Sequence, residues 1–272
     1  MAVGLGSVPL TPAQASVSDS RPIAIAVTSK GTSYVGFAAG GALLRLNANG
    51  KRLSNVVLDQ TGPVTALAAG TDDVIWVYYG DSVSAYQGST LVRHWSLKPD
   101  TACPLDEDHP PGSYGGIVVT SSTVYVAGRC RPTLEAYTRS GGLLATVRLP
   151  AGSLPRGVAW MRPQSKPDKP ARLFVTQPDR GKVITYNAER LRNGSQPLGT
   201  FSVKRPSGGK APVPTAVTAD KYGFLTVADH ANNAVYKYDV DNAMSLYGVL
   251  GHPPNPSSKG GRLNGPSAVA QH

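Results

Sequence analysis

Short apolar runs of about five residues, rich in Val, Ala and aromatic residues and broken by Gly, Pro and Asn, recur along almost the whole chain. Runs of that length and composition, bounded by turn residues, read as β-strands rather than helices. One run has a recognisable ending, an aromatic followed by Val: Ser33-Tyr34-Val35, Ile75-Trp76-Val77, Val124-Tyr125-Val126 and Leu173-Phe174-Val175, with Leu225-Thr226-Val227 as a fifth copy in which Thr226 breaks the aromatic column. A second run follows each, ending in an aromatic or Leu and a polar residue: Leu46-Asn47, Tyr86-Gln87, Tyr137-Thr138, Tyr186-Asn187 and Tyr238-Asp239. The near-constant spacing from each Val predicts two strands joined by a short hairpin, five times over.

Two further runs complete each unit. Upstream lies a strand of small residues, usually opened by Pro: Pro22 to Val27, Pro63 to Leu67, Gly115 to Val119, Pro155 to Trp160 and Pro214 to Val217. Downstream lies a fourth run: Asn55 to Asp59, Leu91 to Trp95, Leu144 to Arg148, Gly199 to Val203 and Leu246 to Leu250. Four strands per repeat, with the small-residue strand at a crowded axis, predict an all-β fold, a β-propeller of four-stranded antiparallel blades. Blades are expected to start near residues 22, 63, 114, 155, 214 and 266, giving five complete blades plus the first strand of a sixth, Pro266 to Ala270. The repeats read as a truncated six-bladed ring, with residues 14 to 19 able to add one outer strand to the last blade.

The repeats resemble NHL repeats. The best copy is Thr226-Val-Ala-Asp-His-Ala-Asn-Asn-Ala-Val-Tyr-Lys-Tyr-Asp239, similar to the strand, Asp-x-x-Asn hairpin and strand of that family; Gly260 to Ala270 resembles the family's passage into a following blade. Ala234 stands where the family usually has Arg, and the other four copies lack the Asp-x-x-Asn pair. The resemblance implies a propeller across residues 16–272, with Asp229 capping backbone N–H groups in its hairpin.

Composition sharpens the picture. There are 30 glycines and 23 prolines, and only 16% of residues are charged, so a helical fold is excluded and a turn-rich one favoured. No stretch reaches the roughly 20 apolar residues of a membrane span. Residues 1–15 read as the remnant of a secretion signal peptide: Ala2 to Leu10 is apolar, and Ala13-Gln14-Ala15 offers a small-x-small cleavage site. The alternative is an ordinary N-terminal tail. The expected location is therefore secreted, extracellular or in the cell envelope. In that setting Cys103 and Cys130, the only cysteines, are expected to pair as a disulfide, because the loop leading into the third blade and that blade's second hairpin share one face of the disc.

The formal charge of +10 is concentrated in one blade. Residues 156 to 210 hold twelve bases against three acids. Arg162, Lys166, Lys169, Arg190 and Arg192 fall in two loops expected on the same face, so they are the candidate partner-binding residues for an anionic polymer or a protein partner. Solvating charge is the alternative reading. Aromatics interleaved with the basic residues, as needed to stack nucleic-acid bases, are nearly absent from the segment, which makes nucleic acid a weak reading.

Asp229 with His230, together with His109, Asp106, Glu107, Asp108 and His252, should lie on the face that also carries the cysteines. Propeller lyases and lactonases use metal ions on such a face, but no matching ligand motif is found here, and no catalytic, cofactor or metal-binding residues are assigned. The expected function is an exported non-catalytic binding module, with a metal-dependent lyase or lactonase-like enzyme as the alternative.

Overall fold

The apolar runs fold as strands, and consecutive strands pair antiparallel because short turns join them. The computed structural model describes residues 22–97, 115–128, 132–150, 153–162, 168–251, 253–255 and 263–270. The first blade is β1 (Pro22–Val27), β2 (Ser33–Phe37), β3 (Ala42–Leu46) and β4 (Val56–Val57); the second is β5 (Ala66–Ala69), β6 (Ile75–Tyr78), β7 (Ser82–Gln87) and β8 (Thr90–Ser96). The third comprises β9 (Gly116–Val119), β10 (Thr123–Ala127), β11 (Thr133–Thr138) and β12 (Leu143–Arg148); the fourth comprises β13 (Val158–Met161), β14 (Arg172–Gln177), β15 (Lys182–Asn187) and β16 (Gly199–Ser202). The fifth is β17 (Pro214–Ala219), β18 (Phe224–Asp229), β19 (Ala234–Asp239) and β20 (Ser245–Gly251). Every blade is a four-stranded up-and-down sheet, and helix is limited among the described residues to two 3-10 turns, Pro178–Arg180 and Ala188–Arg190. Pro63 and Pro155 stand three residues before their inner strands instead of opening them.

Inner strands are built from small residues because neighbouring backbones nearly touch at the axis. A Cβ on Gly116 would stand 2.7 Å from the Val158 nitrogen, and one on Gly157 would stand 3.0 Å from the Val217 nitrogen. Side chains at these places would push adjacent blades apart.

Between blades lie four hydrophobic cores, one for each successive pair. The two aromatic columns feed them in opposite senses, since neighbouring positions on a strand point to opposite faces. Tyr34, Trp76, Tyr125 and Phe174 pack against the following blade; Tyr86, Tyr137, Tyr186 and Tyr238 pack against the preceding one. Leu46, expected in the second column, corrects that scheme: it is half-buried and belongs to none of the four cores. It pairs with Ser33, on the blade 1 face turned away from blade 2. Thr226 likewise sits on the blade 5 face turned away from blade 4, opposite Lys237. The two weak members of the columns thus occupy the two blade faces that lack a described neighbouring blade.

A narrow axial opening is lined by the five inner strands and, in a sixth position, by Ser267, Ala268 and Val269. Residues 266–270 form no strand, because the strand that would supply ladder bonds is not present among the described residues. They are held instead by blade 5: the Thr215 hydroxyl donates to the Pro266 carbonyl (2.9 Å), and the Gly265 N–H donates to Asn233 Oδ1 (2.8 Å). The expected sixth inner strand is therefore placed at the axis without being a strand.

Candidate functional site

Antiparallel blades put first and third hairpins on one side of the disc, and leading loops with second hairpins on the other. On the first side, ion pairs join neighbouring blades: Lys30 with Asp73 at 3.1 Å, Arg139 with Asp72 at 2.6 Å, and Lys169 with Asp241 at 3.3 Å. Four of the five basic residues expected from the sequence, Arg162, Lys169, Arg190 and Arg192, are described and fall here. Arg162, 53% exposed, pairs with Glu189. Lys169 is drawn toward blade 5 by its pair with Asp241. Lys166 lies outside the described residues.

Arg190 and Arg192 line an open cleft with Asn187, Gln196 and Leu198. Its loop is locally ordered. Asn187 Oδ1 accepts from the N–H groups of Glu189 (3.0 Å) and Arg190 (3.2 Å), the Ser195 hydroxyl accepts from Arg192 N–H (2.9 Å), and Asn193 Oδ1 accepts from Thr146 N–H of β12 (2.8 Å). The hairpin leans on blade 3 and presents two arginines. The structure thus brings Arg190 and Arg192 together, ties Arg162 beside them through Glu189, and sends Lys169 elsewhere.

On the opposite side, the Asp-x-x-Asn hairpin of blade 5 works as a clamp. Asp229, fully buried, accepts from Val213 N–H (2.9 Å) through Oδ1 and from the Asn232 amide (2.7 Å) through Oδ2. Asn232 in turn accepts from Lys210 N–H (2.8 Å) and donates to the Lys210 carbonyl (3.2 Å). Asn233, in a left-handed conformation at φ 53°, donates to the Pro254 carbonyl (2.8 Å) while accepting from Gly265. His230 Nδ1 lies 3.0 Å from the Gly265 carbonyl. Asp229 thus caps one backbone N–H, that of Val213 in the leading loop rather than in its own hairpin, and the hairpin binds the loops on both sides of it.

The same clamp shapes a second cleft that sequence reasoning missed. Arg156, Arg180 and Arg205 line it together with Asp179, Gly181 and Pro212. Burial pulls the Arg156 guanidinium pKa down, and the charge of Asp179 works against that fall. The rule that places leading loops beside second hairpins puts these loops on one side of the disc but does not say which of their side chains meet. Nothing in their spacing marks them out from the other nine bases of the segment.

A third polar cluster joins blades 1 and 2. Asp59 accepts from Ser84 (3.0 Å), Tyr79 (3.2 Å) and Tyr86 (2.5 Å), its own N–H donates to the Tyr86 oxygen (2.8 Å), and His94 Nδ1 stands 3.1 Å away. Burial raises the Asp59 pKa, but the hydrogen bonds from Tyr86, Ser84 and Tyr79 and the charge of His94 outweigh it and hold the carboxyl below its usual value. Both Ser84 and Asp59 meet the same nitrogen of His94, so the three do not form the relay of a nucleophilic triad.

Among the described residues, no group of three His, Cys, Asp or Glu side chains is gathered to hold a metal ion, and no helix is long and apolar enough to cross a membrane. Cys103, Cys130, His109, His252, Asp106, Glu107 and Asp108 lie outside the described residues.

No protein-family model matches the chain, and no curated protein matches its sequence. Solved structures do. A catalytically inactive virginiamycin B lyase from Staphylococcus aureus with quinupristin is similar at a TM-score of 0.63 and 16% identity, covering 94% of this chain and 76% of that one. A nidogen/laminin complex gives 0.63 and 16%, covering 91% of this chain and 86% of that one. A protein of unknown function from Bacteroides caccae gives 0.63 and 11%, covering 93% and 87%. At these identities the likeness carries the fold alone, and the fold of this chain is a β-propeller with five described blades.

Proposed function

We propose that this chain is an exported, non-catalytic binding module of the NHL type that holds an anionic cell-wall polymer, an acidic polysaccharide or the acidic face of a protein partner. The observation that carries the reading is the concentration of charge in blade 4, where Arg190 and Arg192 line an open cleft on an ordered hairpin. Clustered exposed cations gain affinity by displacing condensed counterions, and they need no deep pocket to do so. The apolar start with its small-x-small site supports export, and the Asp229–Asn232 clamp supports the NHL reading.

Retention on heparin or teichoic-acid resin tests this. Replacing Lys166, Arg190 and Arg192 together by Ser should abolish retention while leaving the melting temperature nearly unchanged, since exposed loop charges contribute about 0–1 kcal/mol each. Equal retention of the variant, or a parent that fails to bind at about 0.15 M salt, where charges are screened beyond about 8 Å, would overturn it.

The alternative, a metal-dependent lyase or lactonase-like enzyme, is favoured by the likeness to virginiamycin B lyase. Against it, Asp229 and His230 are both engaged in loop clamps. Bound metal in the purified protein, lost in D229A/H230A, would support the enzyme.

A further inference from the structure

The second cleft, on the disc side away from the basic hairpins, has features of a built site. Its arginines come from three separate segments: Arg156 from the approach to β13, Arg180 from the β14–β15 hairpin and Arg205 from the loop between blades 4 and 5. Such a gathering is a tertiary product. The cleft holds about 620 Å³, within the roughly 300–1,000 Å³ of small-molecule sites. Asp179 is the one carboxylate among the described residues that line it, and Asp179 Oδ2 already accepts from Leu154 N–H (3.3 Å). Positive charge therefore prevails.

The walls are held in place before any ligand arrives. Gly181 closes its hairpin at φ 61°, where a Cβ would stand 3.1 Å from the Pro212 carbonyl, so the hairpin and the loop meet directly. The Val203 N–H donates to the Gly181 carbonyl (2.9 Å) at one end of that loop. Asn232 and Asp229 grip Lys210 and Val213 at the other. Arg205 Nε donates to the Gly209 carbonyl (2.9 Å), which fixes its side chain across the loop while leaving the terminal amino groups of the guanidinium to point elsewhere. Planar guanidinium forks on a fixed frame suit carboxylate or phosphate oxygens, which they can grip with paired hydrogen bonds.

We propose that this cleft binds a small organic oxyanion, a carboxylate- or phosphate-bearing molecule gripped by Arg156, Arg180 and Arg205. The site is independent of the polymer-binding surface: it lies on the other side of the disc, uses other residues and requires a molecule small enough to enter. Partial burial of Arg156 strengthens its pull on an anion, because less water screens it.

Calorimetric titration with inorganic phosphate and, separately, with citrate at about 0.15 M ionic strength, where charges are screened beyond about 8 Å, tests the proposal and separates the two oxyanion types. Saturable binding of at least one probe, about one per chain, is expected. R180S/R205S should weaken it about tenfold or more, because charge-assisted hydrogen bonds are lost. Both residues are exposed, so the variant should melt close to the parent. R190S/R192S should leave both affinities within about twofold, as those charges lie on the far side and beyond effective screening. The proposal fails if neither probe binds saturably up to about 10 mM, if R180S/R205S binds as the parent does, or if R190S/R192S weakens binding as much. The last outcome would mean a response to net charge alone.

Discussion

Removing the Asp229 carboxylate is the sharpest perturbation this fold offers, because one buried side chain joins a hairpin to a loop that has no strand of its own. In D229A two donors lose their acceptor: the Val213 N–H, now 2.9 Å from Oδ1, and the Asn232 amide, now 2.7 Å from Oδ2. A donor left unsatisfied in the interior costs about 1–3 kcal/mol, so the pair should cost roughly 3–5 kcal/mol. For a domain of this size that corresponds to a fall of roughly 10 °C in Tm. D229N keeps one oxygen for Val213 but turns an amide toward the Asn232 amide, so it should melt between the two. Thermal melts followed by circular dichroism give the numbers, and trypsin gives the location: with the clamp gone, the loop should be nicked at Lys204 or Lys210 under native conditions. The reasoning is refuted if D229A melts within about 2 °C of the parent, if D229N is as stable as the parent, or if the loop stays intact in D229A.

Two further outcomes follow from the same structure. Asp59 has its pKa lowered in the folded protein, so its ionised form contributes stability above its unfolded value of about 3.9, and that contribution is lost as pH falls through the folded value. D59N should therefore melt well below the parent at about pH 6, with the gap closing toward about pH 3; a gap that stays constant would place the effect in packing. A Cys103–Cys130 bond would close a loop of about 28 residues and add about 3 kcal/mol by restricting the unfolded chain. Alkylation of the unreduced, denatured protein followed by mass measurement should find no free thiol, and two labelled cysteines would refute the pairing.

Ion pairs on the basic side, one within blade 4 and one between blades 4 and 5, offset part of the charge counted from composition. Of the residues picked from the sequence, Arg162 is neutralised by Glu189 and Lys169 by Asp241. The acids lie 27 and 72 residues away from their partners in the chain; Glu189 falls within the counted segment without being matched there to Arg162, and Asp241 falls outside it. Arg190 and Arg192 stay together at the open cleft, where Asn187 and Ser195 hold their backbone and no described carboxylate is paired with either.

Strand number, blade order and most interblade contacts were legible in the sequence because each depends on periodicity. Side chains alternate across a strand, so the spacing of Tyr125 from Tyr137, or of Phe174 from Tyr186, already fixes which side of a blade each one covers. The same pattern contained its own exceptions. Thr226 and Leu46 interrupt the aromatic columns, and in the folded chain both lie on blade faces without a described neighbouring blade. What no repeat pattern determined is where the loops meet. The Asp229 grip on Val213, the Asp59 cluster with Tyr79, Tyr86 and His94, and the convergence of Arg156, Arg180 and Arg205 join residues 16 to 49 positions apart. Loops have no period, and their contacts are set by ring geometry, which brings leading loops and second hairpins of adjacent blades to one side. Only the packing of blade on blade decides which polar groups come within hydrogen-bonding distance.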